Sequence, residues 1–204
     1  MRVYAVLIVL AGLAGCAGTG SHSGNEAGLT DARAKISLGR CDDGLVADLR
    51  RHKAPELEQQ AAYVCLQQGE LDAVGMLLKG YSQRHAKAPY PDYSAYLLAL
   101  AQMARFELTA DDQPKRLQEG RKAHAQLTEF VRSYPESEYR TEVAPRLRTV
   151  LEDMAQTEYQ LATQALEQGD RQAGIARMDY VSRSYSQTAA GRDAVAWLSN
   201  NQAD

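Results

Sequence analysis

Three cysteines, four histidines and the adjacent carboxylate pairs are the residues of this chain best equipped for chemistry, and their spacing decides which chemistry is open to them. His22, His52, His85 and His124 are scattered, with no further ligands at metal-binding spacing, so no metal site is expected. Asp42-Asp43, Asp111-Asp112 and Glu152-Asp153 are neighbours in sequence, and neighbours on a helix do not converge on one point. The first two pairs read as helix-start caps, the third as a solvated helix face. Gly-x-Ser-x-Gly, Ser-x-x-Lys, His-Glu-x-x-His and glycine-rich phosphate loops are absent from the sequence. The stretch Gly20-Ser21-His22-Ser23-Gly24 has the wrong centre for a nucleophile elbow, and it lies in linker-like composition. With no convergent acid, base, nucleophile or metal set, no catalytic residue and no cofactor are assigned, and a non-enzymatic protein is expected.

Aromatic side chains offer recognition instead. The chain has eleven tyrosines against two phenylalanines, and Tyr81, Tyr90, Tyr93 and Tyr96 cluster around His85 and Lys87. Tyrosine brings a large contact area with few rotatable bonds, which suits a partner surface. It equally suits the covering of a turn where a helix ends, so the cluster is a candidate with two readings. Tyr134 and Tyr185 fall at equivalent repeat positions and read as core. Trp197, on the last helix, either caps the helical array or docks a partner, with capping favoured.

The N-terminus sets the compartment. Arg2 is followed by an apolar run from Val3 to Leu13 and then by Leu13-Ala14-Gly15 directly before Cys16, the layout of a secretory signal. The run is about a dozen residues, short of the roughly 20 that cross a bilayer core. Leu-Ala-Gly-Cys resembles the lipobox of bacterial lipoproteins. That resemblance implies removal of residues 1–15, lipidation of Cys16 and attachment through several acyl chains. Ala17, rather than Asp, implies sorting to the outer membrane. In such a compartment Cys41 and Cys65 are expected to form a disulfide in preference to two free thiols, closing a loop worth about 3 kcal/mol. A formal net charge of −3 excludes the basic footprint of a nucleic-acid binder. No polybasic segment flanks the anchor, so membrane contact is expected through lipid alone.

Residues 16–30 are rich in Gly and Ser and read as a lipidated flexible tether, with a helical-repeat domain over 31–200. The remainder is punctuated by Pro, Gly and Asp and carries no run of alternating β-branched residues, so the fold is predicted all-α. Helices are expected over about 42–52, 55–69, 70–85, from Asp92 to before Asp111, 115–134, 137–167, 171–185 and 188–199. Asp92 serves as a cap signal after Pro91, and Pro145 marks either a kink or the true start of its helix. In an antiparallel hairpin of the first two helices, Cys41 and Cys65 face each other. FVRSYPESEYRTEVAPRL at 130–147 is similar to VSRSYSQTAAGRDAVAWL at 181–198, an offset of about 50 residues against roughly 34 in a tetratricopeptide unit. About four stacked helical hairpins fit the length.

The segment from Ser137 to Ala194 resembles the BamD family of outer-membrane assembly lipoproteins. The likeness is carried by Ser137, Tyr139, Arg146-Leu147, Leu151, Ala155, Glu158-Tyr159, Ala162, Gly169, Ala173, Arg177, Tyr185, Thr188 and Asp193-Ala194. LTEFVRSYPES and the Pro91-Asp92-Tyr93 helix start extend it over roughly 60–198. It implies a tetratricopeptide-like solenoid facing the periplasm, docked on a β-barrel insertase, helping unfolded barrel proteins reach it, with no small-molecule substrate. By position Arg171, Arg177 and Arg183 become candidate partner contacts, against the plainer reading of a solvated face. The chain departs from the family in a shortened first repeat, in the Cys41/Cys65 pair and in Ser186, where proline is usual. An accessory lipoprotein of a secretion, pilus or peptidoglycan-associated complex is the alternative.

Overall fold

The structure is a computed structural model that describes residues 20–201, with side chains from Glu26 onward. The signal segment and Cys16 lie outside the described residues. All regular structure among these residues is helical: α1 (Gly20–Ser37), α2 (Asp43–His52), α3 (Pro55–Gln67), α4 (Leu71–Leu78), α5 (Tyr81–Arg84), α6 (Pro91–Glu107), α7 (Gln113–Ser133), α8 (Arg140–Glu167), α9 (Arg171–Ser184) and α10 (Ala189–Asn201). Each long helix packs on its neighbour in sequence, α1 on α2, α3 on α4, α6 on α7, α8 on α9 and α9 on α10, while α4 against α6 and α7 against α8 join the hairpins. This is the all-α, tetratricopeptide-like repeat expected.

Local chemistry explains most helix ends. Asp42 accepts from the Leu45 N–H at 2.8 Å, Asp112 from the Lys115 N–H at 3.0 Å and Asp170 from the Ala173 N–H at 3.0 Å, so α2, α7 and α9 each open on an aspartate cap. Pro55 opens α3 at a position where its missing N–H costs nothing. Four expectations change. Helix α1 begins at Gly20, so the stretch read as flexible tether is helical from that residue and the boundary at residue 31 falls inside a helix. The helix expected over 70–85 is broken at Gly80, whose φ of 69° turns the chain left-handed and leaves α5 as a separate single turn. Asp92 does not cap α6: it sits in the first turn and accepts from the Ser137 hydroxyl at 2.7 Å, tying α6 to the loop before α8. Pro145 does not begin α8, which starts at Arg140 and continues through it.

Two apolar cores run along the array. The N-terminal one gathers Leu45, Leu49, Ala61, Val74, Leu77 and Leu97; the C-terminal one gathers Phe106, Leu127, Phe130, Met154, Val181 and Leu198. Helix α6 feeds both, with Leu97 and Ala101 toward the first and Tyr96, Ala99, Met103 and Phe106 toward the second.

Candidate binding groove

Among the described residues, a groove of about 500 Å³ lies between α1, α3 and the start of α6. Helix α3 supplies one wall, because Glu56, Gln60 and Tyr63 recur at helical spacing along its exposed face, with the buried Val64 also lining the groove. Ile36, in the last turn of α1, forms the opposite wall, and Tyr90 and Tyr93 close one end. Glu56 is the single charged group among the lining residues; the rest are aromatic, aliphatic or amide.

Tyr90 is held there by Gln59. The buried Gln59 amide donates to the carbonyls of Pro89 (2.9 Å) and Tyr90 (2.8 Å) and to the Ser94 hydroxyl (2.8 Å). Tyr90 adopts φ 49° and ψ 56°, a left-handed conformation that costs a non-glycine residue about 1 kcal/mol or more. The residue is nevertheless 71% exposed. A strained backbone fixed by a buried amide, presenting an open aromatic ring at the lip of a groove, suits contact with another molecule.

The four tyrosines of the predicted cluster do not form one surface. Tyr81 is buried, its hydroxyl donates to the Pro55 carbonyl at 3.1 Å, and burial pushes its pKa up to about 12. Tyr96 is buried in the second core and donates to Glu142; burial, then that bond, raises its pKa to about 12. It also stacks on Tyr139, ring centroids 4.5 Å apart, and Tyr93 leans on the same ring at 5.6 Å. Tyr81 and Tyr96 are therefore structural, while Tyr90 and Tyr93 reach the groove. Tyr63, with 45% exposure, completes the aromatic rim; sequence reading missed it because one tyrosine in mid-helix carries no spacing signal.

His85, at the centre of the predicted cluster, faces inward. Its Nε2 lies 3.0 Å from Oε1 of Glu58, whose other oxygen accepts from Arg84 at 2.7 Å; Glu58 is 1% exposed. Arg84 also donates to the carbonyls of Leu77 and Lys79, so the cluster locks the α4–α5 corner onto α3.

At the other end, the three arginines are individually engaged. Arg177 donates to Glu158 at 2.6 Å, a 3% exposed carboxylate that Arg121 also reaches at 3.2 Å, joining α7, α8 and α9. Arg183 pairs with Asp179 at 2.7 Å on its own helix, and Arg171 donates to the Asn201 carbonyl at 3.3 Å. Arg177 is thus committed to a buried carboxylate, and the three do not present one basic patch. Trp197 is half-buried against the C-terminal core. Tyr185 is buried in the same core, its pKa raised by that burial, and Tyr134 packs on Phe130. Glu152 and Asp153 are not a plain solvated face: Glu152 accepts from the Ala189 N–H at 3.0 Å, capping α10 from another helix, and Asp153 pairs with Arg116 at 2.8 Å.

The sulfurs of Cys41 and Cys65 are bonded, with Cα atoms 5.0 Å apart. Gln68 reinforces the same junction, its Nε2 donating to the Gly39 carbonyl and its Oε1 accepting from the Cys41 N–H, both bridging the α1–α2 turn to the end of α3. No group of three or more His, Cys, Asp or Glu among the described residues is arranged to hold a metal ion. Likewise no helix among the described residues is long and apolar enough to cross a membrane. In comparison with known families, residues 49–203 match the YfiO model, described as outer membrane lipoprotein.

Proposed function

Because the chain belongs to the YfiO family of outer membrane lipoproteins, we propose that it is a periplasm-facing scaffold in the assembly of outer-membrane β-barrel proteins, of the BamD type. In this reading Cys16 carries the lipid, residues 1–15 are removed, and the helical array works through protein contacts. The observation that supports a role in handling barrel precursors is the groove edged by Tyr63, Tyr90 and Tyr93. Strands destined for a barrel alternate apolar and polar side chains. An extended segment of that kind can lay one apolar side chain into the groove and offer backbone N–H and C=O groups to the Gln60 amide and the tyrosine hydroxyls. The volume lies within the range of sites that recognise a few side chains, so it accounts for capture of a segment and not of a folded domain.

Affinity isolation of the lipidated protein from its native envelope tests the reading. A barrel-insertion subunit should co-purify in stoichiometric amount; its absence, with secretion, pilus or peptidoglycan components in its place, would sink the assembly role. Intact-mass analysis of the membrane-extracted chain should find an acylated N-terminal Cys16, and an unmodified cysteine there would refute the anchor.

A further inference from the structure

The groove wall supplied by α1 shares the N-terminal core with the wall supplied by α3, and one covalent bond, Cys41–Cys65, joins the chain just past α1 to α3. Ile36 lies five residues before Cys41, and Val64 lies immediately before Cys65. Between Ile36 and Cys41 the chain leaves α1 through Gly39 at φ 64° and continues exposed as far as Arg40. Apart from the Cys41–Cys65 bond, the turn is tied to the end of α3 by the two Gln68 hydrogen bonds, both solvent-exposed, while Lys35 bridges to Asp42 at 3.0 Å across the turn and Ile36 and Cys41 are partly buried against the core. The rest of the α1–α2 hairpin is secured differently, by Ala32, Leu45, Val46 and Leu49 in the N-terminal core. Breaking the bond therefore leaves the groove-side turn tied to α3 by exposed hydrogen bonds and partial packing alone, while the hairpin stays docked.

We propose that the Cys41–Cys65 disulfide is a redox-controlled clamp that sets the geometry of the groove between α1 and α3. The inference rests on the reading of that groove as a peptide site. The two sulfurs are unequally accessible: Cys65 is fully buried and Cys41 is half-buried. The thiolate of a dithiol reductant attacks Sγ of Cys41, the S–S bond breaks, and Cys65 leaves as a thiolate that takes a proton from water. The second thiol of the reductant then displaces Cys41 from the mixed disulfide. Overall two electrons and two protons pass to the protein, which ends with two thiols, and the reductant ends as a disulfide. Reduced, the groove loses its preset width, and an occupant must order the α1–α2 turn as it binds.

The test uses the full lipidated chain in detergent, oxidised or reduced with a dithiol, and a fluorescent eleven-residue peptide alternating Tyr or Leu with Thr or Ser. Reduction should weaken peptide binding about tenfold, and hydrogen exchange should speed up at residues 36–41 while residues 45–49 stay protected. The Cys41→Ala/Cys65→Ala chain should behave as the reduced protein whatever the redox conditions. Equal affinity in both redox states, or unchanged exchange at 36–41, overturns the clamp. Tyr90→Ala separates the two ideas: if the oxidised chain binds the peptide with the same affinity with and without Tyr90, or does not bind it, the groove reading itself fails and the clamp has nothing to regulate.

Discussion

Glu58 is almost fully enclosed and meets both Arg84 and His85, so its charge is neutralised where water cannot help. Replacing it by glutamine keeps the shape but leaves Arg84 facing a neutral amide at the α4–α5 corner. Removing one partner of a buried pair costs about 3 kcal/mol; urea denaturation of Glu58→Gln should show a loss of that size, and wild-type stability would show the cluster to be incidental. The buried tyrosines carry a pH prediction. Tyr81 and Tyr96 hold their protons up to about pH 12 in the folded chain, above the ordinary value of 10.0. Since the folded value is the higher one, their contribution is complete below pH 10 and drains away as pH rises through 12. Unfolding free energy measured across that window should fall, and Tyr81→Phe/Tyr96→Phe should make the fall shallower; an identical slope would contradict it. Residue types were legible in the sequence, but their facing was not. Tyr81 and Tyr90 look alike as letters, yet α3 covers the first, while the left-handed backbone at position 90 turns the second outward. Arg177 likewise reads as a surface charge until Glu158, on another helix, is known to be buried beneath it.

Helix junctions are where small residues decide the outcome. At Gly191, in the first turn of α10, an added Cβ would sit 2.0 Å from the Tyr185 carbonyl oxygen, which is backbone and cannot step aside. Gly191→Ala should cost about 3 kcal/mol and loosen α10. Gly75, inside α4, has nothing within 4 Å of the same position, so Gly75→Ala should stabilise by about 0.5–1 kcal/mol. Thermal denaturation of the two variants must move in opposite directions for this account of the junctions to stand. Most helices were readable because their ends are written in side chains: Asp42, Pro55 and Asp112 mark starts that the chain obeys. Helix α1 was not, since a Gly- and Ser-rich stretch has the composition of a linker and its helicity has to be imposed beyond composition. The break at Gly80 was hidden because the apolar period continues across it, from Leu77 and Leu78 to Tyr81, and periodicity says nothing of a reversal in φ.

Across the whole molecule, α6 is the element on which both cores depend. Trp197, the single tryptophan, packs on the C-terminal core and reports on that half alone. Leu49→Ala, a cavity in the N-terminal core, should cost about 3 kcal/mol and should lower the unfolding midpoint seen by Trp197 fluorescence as much as that seen by circular dichroism. A tryptophan midpoint that stays put while ellipticity shifts would mean that the halves unfold separately. The array was legible at this scale only as a repeat: the similarity between 130–147 and 181–198 gave stacked hairpins, but which hairpin shares its core with which depends on a helix, α6, that has no counterpart in that alignment. The sharing also bears on how the protein can be dissected. The gap before Pro91 looks like the natural place to divide it, since α5 ends at Arg84 and no helix spans the interval. A fragment ending there would lack Leu97 and Ala101, which close the first core, and a fragment beginning there would carry those same side chains uncovered into water. Neither piece is a separable module, so a partner that engages one half requires the chain to be synthesised and folded as a whole.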